Sequence, residues 1–385
     1  MVSYMKNIND IANYFGNKEY IDAFDFSESI VEFKNNLKEI SKKIKGINIK
    51  KDYKIESIKE IAMPPEVVAH YNGINYKNII EYVFCGEVSK FARIMTTNFS
   101  SDSLIILYNN INELKMEKIH LNEKKEHFKN KFLRKGLLDL DVASYNVVFN
   151  RIRVSGENVD LDLPHELFHM SSSVNDNDND MLYCGFEQTT ISNNKIIGIG
   201  FNEGYTELMV KKYYGDSILS NSTNYMCLRD IAENIDLIIG RSKMEKYYLS
   251  ANLKGFITEL SKYSSFDKAI DFIATTDYLY KHLNEARKRK KEKEFLIEKI
   301  KFIYMFIVEC ITRSTIKLLE DKKINEDYLL PIISKKVKTL KVSMSKIINF
   351  KAIPNVYTTA QMIVDILNEY GLDMIVDVEK SASIK

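Results

Sequence analysis

The sequence predicts an α+β protein that is predominantly helical, with a small mixed sheet beside one short histidine-bearing helix and a helical C-terminal lobe. Three observations carry that prediction. Apolar residues recur at helical spacing through much of the chain, as in Ile231–Ile239, Leu253–Leu260, Ala269–Leu283, Phe295–Leu319 and Met362–Leu367. Only 5 prolines and 14 glycines occur in 385 residues, which leaves few positions for tight turns. Short runs rich in β-branched and aromatic residues appear in the middle of the chain. The expected division is a helical N-terminal region, 1–100, a central core, 101–215, and a helical lobe, 216–385.

Composition narrows the function class. With 45% apolar and 28% charged residues the chain is a globular mixture, and a formal charge of +2 gives no drive toward nucleic acid or a membrane surface. Cys85, Cys184, Cys227 and Cys310 are scattered with no C-x-x-C pair, which favours free thiols in a reducing, cytoplasmic setting. The N-terminus lacks the basic start and apolar core of a signal peptide. The most apolar run, Phe302–Val308, is followed by Glu309 and Arg313, far short of the roughly 20 apolar residues of a membrane span.

Taken in order, Ile30–Ile44 and Ile79–Ile94 read as helices on either side of Pro64-Pro65, while His70, His120 and His127 stand alone. Leu104–Tyr108 is short and apolar, as a buried strand would be, and a charged helix is expected near Glu123–Leu138. Tyr145–Val154 reads as one half-exposed or edge strand, turned by Ser155–Asn158. Beyond it, Ser171–Asp180 reads as a polar loop. Its alternating aspartates, with Glu187, imitate a calcium loop, but Met181 stands where that loop needs glycine. Gly185–Ile191 and Lys195–Ile199 flank Asn193-Asn194 as a hairpin. The basic run Arg287–Glu294 reads as the solvated start of a long helix, and His282 as a helix residue near Tyr278 and Tyr280.

Two stretches carry chemistry. In Asp162-Leu163-Pro164-His165-Glu166-Leu167-Phe168-His169, the two histidines are four apart, which stacks them on one helix face within reach of one metal ion. Glu166 lies about 100° around the helix, close enough to meet a metal-bound water without being a ligand. Asp162 is the expected N-cap, with Pro164 in the first turn. The second stretch, Asn202-Glu203-Gly204-Tyr205-Thr206-Glu207, predicts a helix capped by Asn202 with both glutamates on one face. A catalytic zinc held by such a histidine pair needs a third protein ligand. On spacing alone either Glu203 or Glu207 can supply it.

Together these stretches resemble the gluzincin group of zinc metallopeptidases. Asn202–Glu207 is similar to the N-E-x-x-S-D element of thermolysin-like enzymes, and Asn202–Thr206 to the N-E-G-F-A of alanyl-aminopeptidase relatives. The resemblance implies one Zn2+ per chain held by His165, His169 and Glu203, with Glu166 as general base and Glu207 orienting a ligand imidazole. It implies a peptide or protein substrate, cleaved by a metal-activated water. It covers about residues 145–215; 33 residues separate His169 from Glu203, and the exopeptidase signature G-x-M-E-N is absent. The competing expectations are a catalytically silent metal-binding relative, and a helical interaction or nucleic-acid-binding protein with accidental motifs.

Overall fold

The computed structural model describes residues 87–118 apart from 89, 93 and 113, then 143–154, 159–216, 223–282, 290–347, 354 and 356–372. The helices expected at Ile30–Ile44 and Glu123–Leu138, the turn at Ser155–Asn158, and His70, His120 and His127 lie outside the described residues. Within them helix accounts for 74%, which makes the fold predominantly helical with small sheets, as the periodicity predicts.

The described chain enters in a helix over residues 87–98 (α1), whose Val88, Phe91, Ala92 and Met95 are buried. Next comes α2, Ile105–Asn112, preceded by a single 3-10 turn over Ser101–Leu104. The strand expected at Leu104–Tyr108 is therefore helical. Its buried positions Leu104, Leu107, Ile111 and Leu114 recur at three- and four-residue intervals, a helical period that the five-residue window was too short to reveal.

Strands β1 (Lys115–Lys118), β2 (Ala143–Asn146) and β3 (Arg151–Val154) form a mixed sheet in the order β1-β3-β2. β1 runs parallel to β3, and β2 pairs antiparallel with it, Tyr145 opposite Ile152. The single strand expected over Tyr145–Val154 is thus a hairpin. Its turn is held by the Phe149 N–H donating to Asn146 Oδ1 at 3.1 Å and by Asn150 at φ 45°, a left-handed position that asparagine tolerates. Among the described residues β3 is central, and β1 and β2 are the two edges of this sheet.

Helix α3, Val159–Ser171, follows. It begins upstream of the expected cap, so Asp162 lies inside it and Pro164 forgoes one backbone bond in its second turn. Its C-terminal carbonyls are closed by three serines: the hydroxyls of Ser171 and Ser172 donate to Phe168 O, and that of Ser173 to His169 O at 2.7 Å.

Those serines lead straight into β4 (Ser173–Asp176), the first strand of an antiparallel meander with β5 (Met181–Cys184), β6 (Glu187–Thr190) and β7 (Lys195–Ile197). The expected polar loop is therefore half strand and half turn. Asp176 accepts from the Asn179 backbone and side chain, and Asp180 accepts from the Ser192 amide, so these carboxylates serve the turns. The hairpin through Asn193-Asn194 forms as expected, with Thr190 opposite Lys195.

Helix α4, Ile199–Tyr214, is enclosed by other described elements, and every residue from Gly200 to Val210 is buried. A helix buried on all sides must be approached closely by its neighbours. α4 packs against α3, α5 (Thr223–Ile239) and α8 (Phe266–His282). Gly204 lies against the Leu228 backbone of α5 and Gly200 against the Thr276 backbone of α8, with no room for a Cβ at either. α6 (Arg241–Leu249) and α7 (Leu253–Leu260) bring Tyr248 and Phe256 against Phe186, Phe201 and Tyr205. The long α9 (Lys290–Glu320), α10 (Leu329–Ile347) and α11 (Val356–Glu369) complete the described helices. One cluster of buried residues runs from Val88 to Met344, through both the central region and the C-terminal helices. No described helix is long and apolar enough to cross a membrane.

Candidate metal centre

Helices α3 and α4 pack side by side, and their facing sides carry the polar residues picked out in the sequence. From α3, His165 and His169 project toward α4 with their Nε2 atoms 2.9 Å apart. From α4, the Glu203 carboxylate meets both: Oε2 lies 3.1 Å from His165 Nε2 and Oε1 3.4 Å from His169 Nε2. The three contacts use both carboxylate oxygens, and they bring one donor atom from each of the three side chains within reach of a common ion. Among the described residues, His165, His169 and Glu203 are the one group of three such side chains close enough to share an ion.

The geometry separates the two carboxylates that spacing left equivalent. Glu203 faces the Nε2 atoms, whereas Glu207 lies at the far nitrogen of His165, with Oε1 3.2 Å from Nδ1. A carboxylate there fixes the tautomer, holding the proton on Nδ1 and leaving the Nε2 lone pair for a cation.

α4 can present Glu203 because its start is capped from outside. Gly198, at φ 85°, has no side chain to offer, and Asp277 of α8 accepts instead from the Gly198 and Gly200 amides, each at 2.8 Å. The helix therefore starts at Ile199, and Asn202, the expected cap, is a buried interior residue accepting from the Phe186 amide at 3.0 Å.

The charges are mutually compensated. Burial pushes the His165 pKa down, but its hydrogen bonds to Glu203 and Glu207 outweigh that and carry it up to about 10. His169 is likewise raised against its burial, by Cys184 and Glu203. Burial would raise Glu203, yet the two imidazoles hold it well below the usual carboxylate range. The pocket thus favours positive charge at its centre, on protonated imidazoles or on a cation.

Glu166 lies beside this group, buried, and its carboxylate accepts from the Tyr145 amide of β2. Burial pushes its pKa upward, only partly opposed by the histidines. Several residues that no sequence motif marks also surround the centre. Cys184 of β5 places Sγ 3.3 Å from His169 Nδ1. The Tyr225 ring meets His165 edge-on at 5.7 Å. Glu187 of β6, cross-strand partner of Cys184, has its pKa pushed up to about 7 by burial and then by Glu203. The last could be found only as a position in the imitation calcium loop, and the others had no signal beyond their residue types.

His282 lies against the Tyr278 ring, tilted, with ring centroids 4.4 Å apart, and takes no part in the cluster. The described cysteines, Cys184, Cys227 and Cys310, are all free and buried. A separate groove of about 680 Å³, lined by Lys268, Met305, Glu309, Arg313, Met362 and Glu369, contains none of the centre's residues. No protein-family model, curated protein or solved structure matches the chain.

Proposed function

We propose that the chain is a zinc-dependent peptidase of gluzincin type, with His165, His169 and Glu203 as ligands and Glu166 as general base. The observation that carries this reading is the convergence of both Nε2 atoms on one carboxylate while a second carboxylate, Glu207, holds the outer nitrogen of His165. Two imidazoles and one carboxylate match the donor set of catalytic zinc, which leaves a coordination position for water. The metal, when bound, supplies Lewis acidity to a water and to the carbonyl under attack.

The chain's own residues supply the rest. Glu166 takes the proton of the attacking water and passes it to the leaving amine, so that one carboxylate serves as base and then acid. The Tyr145 amide holds that carboxylate in place. Glu207 keeps His165 oriented through the cycle. Substrate joins as an added strand along β2, one of the two described edges of that sheet, through main-chain groups other than the Tyr145 amide that Glu166 occupies.

Hydrolysis of a peptide library by wild type and by Glu166→Gln tests the reading. Wild type is expected to cleave, and the variant to lose about 10²–10⁴-fold in rate while still binding metal. A wild type that binds zinc and cleaves nothing, or a variant as active as wild type, would overturn it.

A further inference from the structure

The two histidines are oriented by different chemistry. With Nε2 turned toward the centre, each needs an acceptor for its Nδ1–H. His165 has the Glu207 carboxylate. Two polar side-chain atoms lie beside the corresponding nitrogen of His169. The Asn202 amide nitrogen is 3.4 Å away and the Cys184 sulfur 3.3 Å away, while Asn202 Oδ1 is committed to the Phe186 amide at 3.0 Å. That commitment turns the NH2 of Asn202 inward, and an NH2 group cannot accept. Gly185 reinforces the arrangement, because a Cβ there would collide with Asn202 Oδ1 and the Tyr248 ring.

Only the sulfur is left to accept. We infer that Cys184 is the positioning residue for His169, accepting its Nδ1–H through Sγ, and so fixes the Nε2 lone pair on the metal position. The thiol's remaining contacts agree with this role. Asn202 Nδ2 approaches Sγ at 3.8 Å as a second donor, and the S–H has the His169 carbonyl at 3.8 Å as its acceptor. Cys184 is also held in register: it lies opposite Ser173, whose hydroxyl bonds the same carbonyl. β5 is thereby tied to the end of α3 at the ligand itself.

The inference rests on the metal reading, and the test separates the two. Metal-free wild type, Cys184→Ser and Cys184→Ala are titrated with Zn2+ against a chromophoric chelator, and the unfolding midpoint of each metal-free protein is recorded. Serine keeps an acceptor and alanine does not. The expected result is affinity in the order wild type, Cys184→Ser, Cys184→Ala, with the alanine variant weaker than wild type by about 10–100-fold. A role in packing alone would lower the metal-free midpoints without separating serine from alanine in affinity. Equal affinities for the two variants would overturn the inference. A wild type that takes up no zinc would instead refute the metal centre.

Discussion

Substitution of Gly204 by alanine probes how closely α4 is seated against α5. A Cβ at 204 would lie 2.5 Å from the Leu228 carbonyl carbon and 2.8 Å from its Cβ, where ordinary contact begins at 3.4 Å. The obstacle is backbone, which has no rotamer to move aside, so α4 and α5 would have to separate by about 0.9 Å. Overpacking of this kind costs about 1–3 kcal/mol, toward the upper end where backbone must shift. Removing a glycine from a helix interior returns about 1 kcal/mol. The net expectation for Gly204→Ala is destabilisation by about 2 kcal/mol, read by urea unfolding. Glu203 and Glu207 ride on the same helix, and a shift of that size is large against their 3.1 and 3.2 Å contacts with His165, so zinc affinity should fall too. Unfolding free energy equal to or above that of wild type would refute the claim that this interface has no slack.

Other perturbations address separate parts of the account. Glu207→Ala removes the acceptor on His165 Nδ1 and is expected to weaken zinc binding by about 10–100-fold in a chelator competition; unchanged affinity would contradict its orienting role. Asp277→Ala leaves two buried amides at the start of α4 without their acceptor, a loss of about 2–6 kcal/mol in unfolding free energy if no water replaces it. A loss below about 0.5 kcal/mol would show that α4 does not depend on the cap. Burial acts to raise the Glu259 pKa, but Lys262 at 2.6 Å and Lys243 at 2.9 Å lower it overall from its ordinary 4.5. A depressed carboxylate stabilises the fold above its unfolded pKa and ceases to do so as pH falls through the folded value. Glu259→Gln should therefore be less stable than wild type at pH 7, with the gap closing below pH 4.5; a gap independent of pH would refute this.

Much of the fold and the centre was legible in the sequence, and the exceptions share a cause. Long helices such as α5, α8 and α9 repeat their apolar spacing often enough to be read, and His165, Glu166 and His169 form a pattern within about one helical turn. Leu104–Tyr108 failed because five residues do not display a helical period, and Tyr145–Val154 because Val147–Asn150 carries no glycine to mark its turn. The serines after His169 looked like a loop because their composition is polar, whereas in the structure their hydroxyls close a buried helix end. Cys184, Asp277 and Tyr225 reach the site by tertiary packing from β5, α8 and α5, at sequence distances that no local pattern encodes. The choice between Glu203 and Glu207 belongs to the same class. Both share a helix face, and only the placement of α3 against α4 tells the inner carboxylate from the outer one.

The proposed function stands on a single metal centre built by α3 and α4. Its most direct test is the metal content of the purified chain after dialysis against trace zinc, measured for wild type and for His165→Ala. About one zinc per wild-type chain, and essentially none in the variant, is the expected result. A wild type without zinc, or a His165→Ala variant that retains it, would contradict the account.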